Sequence, residues 1–212
     1  MDVYRAILKR RSIRSFLQKK IHIKHLKRMV NAARLAPSAA NLQPLEFLII
    51  TAENLCERVF KHLKWAGYIA PDGSPEPGCR PVAYIIIIVN SRKVSHPVLK
   101  RDESAIRYSF KVDQRDIGAA VENMLLFAES KGIASCWLGA INSIGIKKIF
   151  ALPRDLIVDS VIAFGYPKMF SKVSRFDGSI KYYLDKKGVL HVPKRSLEGV
   201  MHINSIIYER SK

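Results

Sequence analysis

The chain has 212 residues, 48% of them hydrophobic, which is typical of a globular domain with a sizeable core and excludes a disordered chain. The longest apolar run, residues 82–89, is too short to cross a bilayer, so we expect no membrane span. The three cysteines, Cys56, Cys79 and Cys136, fit neither a disulfide framework nor a metal site. Because the N-terminus also lacks a signal-peptide pattern, we expect a single cytoplasmic domain over residues 1–212.

The formal net charge of +18 is concentrated at the two ends of the chain. Residues 1–35 contain 11 lysines and arginines against one acid, and residues 168–212 contain 10 against four. Such an excess attracts phosphorylated ligands and also favours nonspecific contact with nucleic acid. In Lys24, Lys27 and Arg28, however, the charges lie at helical spacing opposite apolar residues, which is typical of a solvated helix face.

In the first half of the chain, short helices alternate with apolar strands. Apolar residues at helical spacing predict helices over residues 2–9, 23 to about 36, and about 55–63. Apolar runs predict strands over residues 45–50 and 82–89. Four prolines and two glycines predict a loop over residues 70–81.

The second half opens with residues 91–111, which are polar and lack clear periodicity, so we expect part of this segment to be a mobile flap. A broad apolar stripe then predicts a helix over residues 113–131, capped by Gly132 and apolar enough to suit a dimer interface. The remaining predicted elements are strands over residues 133–138 and 157–164, a helix that begins at Asn142 or Ser143 and ends at Phe150, and a hairpin over residues 182–192.

The segment Arg10–Phe16 carries the most informative pattern, because three guanidinium groups and a hydroxyl lie within five residues. The guanidinium group of arginine binds phosphate and carboxylate groups with paired hydrogen bonds. In an extended chain, alternate residues point to the same side, so Arg10, Ser12 and Arg14 are expected to line one wall while Ile13 faces the core. The alternative from these residues alone is a solvated basic turn.

Three further motifs follow along the chain: a proline- and amide-containing loop at 36–44, a glycine-containing segment at 136–140, and the end of an apolar strand at 163–167. In this order and at this spacing, the four segments resemble the nitroreductase family, the FMN-dependent NAD(P)H oxidoreductases. The resemblance extends from Val3 to about His202.

The resemblance implies an α+β fold with a mixed, mainly antiparallel sheet flanked by helices. It also implies an intertwined homodimer that binds FMN at the subunit interface, with a C-terminal hairpin and arm over about 168–212. The positions that match the family's flavin-binding motifs are Arg10, Arg11, Ser12 and Arg14; Pro37, Ser38, Ala39, Asn41 and Gln43, in a loop that reaches the partner's flavin; Leu138 and Gly139; and Lys194 and Arg195, which close over the phosphate.

The activity implied by the resemblance is transfer of reducing equivalents from NAD(P)H through FMN to an electron-poor small molecule, such as a nitroaromatic or a quinone, with ping-pong kinetics. Because the flavin carries the chemistry, we expect no catalytic side chain and no metal. The many basic residues favour NADPH over NADH as the electron donor. The six histidines are expected to be structural or exposed, without a convincing acidic or cysteine partner.

Aromatic residues are the candidates for the acceptor pocket, because planar acceptors stack on them. Those candidates are Trp65, Tyr68, Tyr108 and Phe110, and the same residues could instead fill the core. Trp137 is expected to pack in the core.

Other functions compete with this interpretation. A basic nucleic-acid-binding protein would account for the charge, but we recognise no nucleic-acid motif and the middle of the chain is nearly neutral. A flavin-binding protein that nicotinamides do not reduce, and a specialised relative such as a reductive dehalogenase, are the further alternatives.

Overall fold

The computed structural model describes residues 1–69, 73–94 and 103–205, and the side chains of residues 103–113 lie outside that description. The helices are α1 (Val3–Lys9), α2 (Ile23–Arg34), α3 (Glu53–Phe60), α4 (Ser91–Val94), α5 (Glu103–Ser130) and α6 (Ser143–Ile149). The strands are β1 (Phe16–Leu17), β2 (Leu45–Ile50), β3 (Ala83–Asn90), β4 (Ala134–Leu138), β5 (Leu156–Pro167), β6 (Ser171–Arg175), β7 (Tyr183–Leu184) and β8 (Leu190–Lys194).

The main sheet is antiparallel and centred on β3 and β5. β2 pairs with β3, β3 pairs with β5, and the other edge of β5 pairs with both β4 and β1. Tyr84 on β3 lies opposite Ile50 on one side and Ala163 on the other, which fixes the register of the three central strands. The apolar run in β3 matches this central place, since seven of its eight residues are buried.

Helices cover both faces of this sheet. Ile85 and Ile87 of β3 belong to a core that includes residues of α2 and α5. Tyr84, Ile86 and Ile88 point the other way, into a core shared with α3 and α6. The predicted α+β architecture with a helix-flanked, mainly antiparallel sheet is therefore confirmed.

A small second sheet follows the main one. The predicted hairpin is confirmed, because β7 and β8 pair antiparallel around a turn in which Gly188 adopts a φ of +72°. β6, which the sequence did not predict, pairs in parallel with β8 and makes this sheet mixed. The expectation that no histidine has an acidic partner was wrong: His191 Nε2 lies 2.9 Å from Asp185 Oδ2, within the hairpin.

The helix predicted over residues 113–131 exists, but it begins ten residues earlier, and Gly132 caps it with a φ of +67°. Residues 91–111 lack clear periodicity in the sequence, yet they contain α4 and the start of α5. The rest of the expected flap, residues 95–102, lies outside the described residues. Within the described ranges, no helix combines the length and hydrophobicity that a membrane crossing requires.

Candidate functional site

The site begins with a cleft of about 580 Å³ that lies beside the end of α1, between α5 and the β4–β5 edge of the sheet. Its lining residues are Arg10, Ser12, Gln114, Glu122, Leu125, Ser135, Trp137, Gly139, Asp159 and Ser160. The volume lies within the range typical of small-ligand pockets, and the lining mixes charged, hydroxyl and aromatic groups.

Alternation along β4 explains one wall of this cleft. Ser135, Trp137 and Gly139 line it, whereas Cys136 and Leu138 are buried in the core behind the strand. The segment that follows α1 is fastened to the same strand. Ser12 forms an isolated bridge with Ser135, and the Ile13 N–H donates to the Ser135 carbonyl at 2.9 Å. These contacts hold Ser12 against β4.

Arg10 supplies a positive charge at the cleft. It caps α1, and its backbone N–H donates to the Ala6 carbonyl at 2.8 Å. Its guanidinium Nε lies 3.3 Å from Oε1 of Glu122 on α5. Both side chains are partly exposed, so the pair places a cation and an anion next to the cavity.

Gly139 leaves the cleft open next to its backbone. A Cβ built at this position would meet no atom within 4 Å outside the neighbouring residues. A planar ligand therefore has room to approach the backbone of Leu138 and Gly139.

Trp137 was expected in the core, and this expectation was wrong. Its side chain lines the cleft and the residue is 42% exposed. The indole Nε1 donates to the hydroxyl of the buried Ser160 at 2.9 Å, which fixes the orientation of the ring. Because Cys136 and Leu138 take the buried face of β4, Trp137 faces the opposite side.

Arg10, Ser12 and Arg14 do not line one wall, as the alternation had predicted. Strand pairing begins only at Phe16, and before it Ser12 and Ile13 contact Ser135 of β4, which separates the side chains of Arg10 and Arg14 into different clefts. Arg14 lines a separate cleft of about 420 Å³, and its guanidinium carbon lies 5.0 Å from the centroid of the Tyr182 ring. Ile13 does face the core, as predicted.

Arg11 lies in a third, smaller cleft of about 170 Å³, opposite Glu129. Its Nη1 donates to the Arg10 carbonyl at 2.5 Å. Burial lowers the pKa of Arg11 and raises the pKa of Glu129. The side chain therefore braces the backbone of Arg10 and lies outside the Arg10 cleft.

The loop of residues 37–43 has an unusual and well-braced shape. Ala40, Asn41 and Gln43 adopt φ angles of +48°, +55° and +49°, a region that residues with side chains rarely occupy. The Ser38 hydroxyl accepts from the Gln43 backbone N–H at 3.1 Å, and Gln43 Nε2 donates to Asn41 Oδ1 at 3.1 Å. The exposed side chains of Asn41 and Gln43 thus present amide groups to the surface.

In the single chain this loop lies apart from the Arg10 cleft. Pro37, Ser38 and Gln43 line another cavity, of about 150 Å³, together with Asp116 of α5. The buried Asp116 carboxylate accepts from the Ala39 N–H at 3.1 Å, and desolvation raises its pKa against the effect of that hydrogen bond. Asp116 belongs to a segment, 116–120, that carries the family resemblance, but the sequence assigned it no role in the site, although an acid within an apolar helix stripe was the available signal.

The basic pair near the C-terminus also lies apart from the Arg10 cleft. Lys194 ends β8, and its carbonyl accepts from the Phe176 N–H at 3.2 Å. The guanidinium of Arg195 donates to the Gly199 carbonyl. Of the predicted cofactor-binding residues, the single chain therefore gathers Arg10, Ser12 and Gly139 in one cleft, and Leu138 is buried in the core behind β4.

The aromatic acceptor candidates are dispersed. Trp65 is buried in the core that faces α3 and α6, which favours the packing alternative for that residue. Tyr68 is exposed and packs edge-on against Tyr182, with 5.1 Å between ring centroids. The side chains of Tyr108 and Phe110 lie outside the described residues.

An antiparallel sheet flanked by helices, with a cleft of small-ligand size at its edge, defines the chain as an α+β protein with a candidate ligand site. The sequence profile described as the nitroreductase family matches residues 7–166. The chain belongs to the nitroreductase family, as its motifs had predicted.

Relatives and solved structures agree with this assignment. A protein of Archaeoglobus fulgidus, provisionally named NADH dehydrogenase/NAD(P)H nitroreductase, is 28% identical over 79% of this chain and 86% of its own length. A protein of Methanothermobacter thermautotrophicus with the same name is 29% identical over 79% and 78%. A provisionally named nitroreductase of Desulfovibrio desulfuricans, solved in complex with FMN, is 26% identical, with a TM-score of 0.64 over 84% of this chain and 93% of that one.

Proposed function

We propose that the chain is an FMN-dependent oxidoreductase that transfers reducing equivalents from NAD(P)H to an electron-poor small molecule. The observation that carries this proposal is the cleft that joins Arg10, Ser12 and Gly139 within a nitroreductase fold. Membership of the family and the FMN complex of a similar protein support FMN as the cofactor.

The residues of the cleft fit the chemistry of FMN. The Arg10 guanidinium binds the phosphate, since its planar fork matches phosphate oxygens, and the Ser12 hydroxyl supplies a further donor. Arg11 supports the Arg10 backbone, and Arg14 contributes positive charge from the neighbouring cleft. The open space at Gly139 admits the flavin ring to the Leu138–Gly139 backbone, whose N–H groups would face the ring edge that takes up a proton on reduction.

The remaining predicted contacts come from a second copy of the chain. In an intertwined homodimer, the partner's copy of the 37–43 loop would present its amides to the flavin, and Lys194 and Arg195 would close over the phosphate. Exposed apolar side chains support such an interface. Val3 and Tyr4 on α1 are each 70% exposed, and Leu197 and Ile203 in the C-terminal arm are 63% and 72% exposed.

Bound FMN supplies hydride acceptance from a nicotinamide and onward transfer to the acceptor. This chain's residues bind and orient the cofactor and both substrates, and no side chain is required as a nucleophile or proton donor. Donor and acceptor would use the same open face in turn, which gives ping-pong kinetics. Trp137, held by Ser160, presents an aromatic surface to planar ligands in the cleft. A cytoplasmic location stays a prediction.

A visible spectrum of the purified protein, taken before and after anaerobic addition of NADPH or NADH, tests the proposal. Flavin bands that bleach with either nicotinamide would support it, and the faster reductant identifies the preferred donor. Bands that neither nicotinamide bleaches would instead support a flavin-binding protein without turnover. If reconstitution with FMN produces no flavin bands, the cofactor assignment is wrong, and salt-dependent DNA binding becomes the next measurement.

A further inference from the structure

Asp116 is the buried acidic residue of the described side chains and has no role in the proposed function so far. It is 6% exposed and lies on α5. Its two carboxylate oxygens lie 3.1 and 3.3 Å from the backbone nitrogen of Ala39. None of the ion pairs found within the described ranges involves Asp116. A buried carboxylate is costly unless its hydrogen bonds repay its desolvation.

Asp116 contacts the 37–43 loop through Ala39, and this loop has a strained backbone conformation. Ala40, Asn41 and Gln43 all have positive φ angles, each of which disfavours a residue with a side chain. Such a shape persists only where surrounding contacts impose it. The Ser38–Gln43 bond acts within the loop, whereas Asp116 connects the loop to a long helix of the core.

We propose that Asp116 is a positioning residue of the flavin site: through Ala39 it holds the strained 37–43 loop in the shape that contacts the flavin. This inference rests on the proposed function, because the loop reaches a flavin only in an FMN-binding dimer. Asp116 itself touches neither cofactor nor substrate.

The charge of the carboxylate matters for this role. Hydrogen bonds to an ionised acceptor are roughly twice as strong as neutral ones. Arg34 of α2 and Lys93 of α4 line the same small cavity, and Lys93 is already paired with Glu46 at 2.9 Å. Arg115, next to Asp116 on α5, is exposed. Burial raises the pKa of Asp116, so this carboxyl takes up a proton at a higher pH than an exposed aspartate does, and protonation weakens its hydrogen bond with Ala39.

Two substitutions test the hydrogen bond between Ala39 and Asp116, one at the acceptor and one at the donor. Asp116→Asn keeps the shape and removes the charge. Ala39→Pro removes the donor and should leave the backbone unchanged, since Ala39 is the first residue of a 3₁₀ turn and Ser38 is extended, with φ −129° and ψ 152°. Asp177→Asn is the matched control, because that exposed carboxylate also accepts one backbone N–H, from Ser179 at 3.0 Å.

We expect Asp116→Asn to weaken FMN binding about fivefold in a flavin-fluorescence titration, as a charge-assisted hydrogen bond becomes a neutral one. Thermal stability at pH 7 should not fall, because the variant no longer buries a charge. A merely structural residue would lower stability and affinity together. Ala39→Pro should weaken binding similarly, and the double variant should be no weaker than the worse single variant.

The wild type should also bind riboflavin less tightly as the pH falls through the raised pKa of Asp116, and Asp116→Asn should not. Riboflavin is used because the FMN phosphate itself titrates at about pH 6. Hydrogen exchange of the 37–43 peptide in flavin-free protein gives a second readout, with faster exchange in both variants and unchanged exchange in Asp177→Asn.

Equal FMN affinity in wild type and Asp116→Asn, or additive effects of the two substitutions, would overturn the inference. If Asp116→Asn does not fold, hydrogen exchange of the 37–43 loop in Ala39→Pro tests the inference instead. Exchange equal to that of the wild type would then overturn the inference. Failure of the wild type to bind FMN would contradict the proposed function instead, and loop exchange in the flavin-free variants would still decide the role of Asp116.

Discussion

Arg10 and Glu122 face each other at the cleft, with the guanidinium Nε 3.3 Å from the carboxylate Oε1. Arg10 is also the residue proposed to bind the FMN phosphate. A phosphate and the Glu122 carboxylate would therefore compete for one cation, and the two anions would repel each other at short range. If Arg10 binds the phosphate as proposed, Glu122 orients its guanidinium in the flavin-free protein but would lower its affinity for phosphate.

We expect Glu122→Gln to tighten FMN binding by a few fold, because it removes the competing negative charge and keeps the side-chain length. The gain should shrink as salt rises, since the pair is partly exposed. Titration with FMN at two ionic strengths measures both effects. Riboflavin is the control ligand and should bind wild type and variant equally, because it lacks the phosphate. Weaker FMN binding by the variant would mean that orientation of Arg10 outweighs repulsion.

Gly139 and Gly165 provide a matched pair that separates cofactor binding from folding. At Gly139 a Cβ would meet no atom within 4 Å, so Gly139→Ala should change the free energy of unfolding by less than about 0.5 kcal/mol. FMN binding should fall at least about fivefold, because the methyl group projects where the flavin approaches. Unchanged FMN affinity would place the ring elsewhere in the cleft.

Gly165→Ala should have the opposite profile. The added Cβ would lie 2.7 to 2.9 Å from atoms of the buried Phe16 side chain, where β1 pairs with β5. Overpacking of this kind costs about 1–3 kcal/mol of stability. Thermal unfolding with saturating FMN measures this loss, and a stability equal to that of wild type would mean that β1 shifts freely on β5.

Periodicity in the sequence predicted the elements whose burial is one-sided or complete. A continuous apolar run predicted β3, and an apolar stripe at helical spacing predicted α5. Both patterns can be seen locally in the sequence, because the apolar residues of each element pack into the core. β1 and β6 were missed, since they are short and their pairing depends on residues distant in the chain.

The candidate site was predictable in identity but not in arrangement. The motifs named Arg10, Ser12 and Gly139, which share a cleft, yet alternation wrongly grouped Arg14 with them. The position of Arg14 depends on contacts with residues distant in the chain, such as Tyr182. Trp137 was placed on the wrong face because an aromatic residue in an apolar strand usually packs inward. Its hydrogen bond to Ser160 joins two strands, and no local pattern reveals it.

The three cysteines should differ sharply in reactivity. Cys56 and Cys136 are buried, and burial raises the pKa of both thiols, that of Cys56 to about 11. Cys79 is partly exposed and lines the cleft that contains Arg14. Because the reactive form is an accessible thiolate, iodoacetamide at neutral pH should label Cys79 alone in the native protein. Mass spectrometry of peptides would identify the labelled site, and denaturant should expose all three. Native labelling of Cys56 would mean that the α3 core opens readily.

Asp185 should make the C-terminal hairpin sensitive to acid. Its Oδ2 lies 2.9 Å from His191 Nε2, and Oδ1 accepts from the backbone N–H groups of Lys187 and Val189. The hydrogen bond with His191 contributes most to lowering the pKa of Asp185, from an ordinary value of 3.8 to about 2. The ionised form is thus favoured by folding. Its stabilisation is complete above the unfolded pKa and is lost as the pH falls through the folded pKa.

The Asp185→Asn variant should therefore be less stable than wild type at pH 5, and the difference should vanish as the pH approaches 2. Melting temperatures of both proteins across this range measure it. Near-ultraviolet circular dichroism of the stacked Tyr183–His191 pair, whose centroids are 4.8 Å apart, reports the hairpin itself. A difference in stability that stays constant with pH would show that the Asp185 side chain acts through its turn geometry and not through its charge.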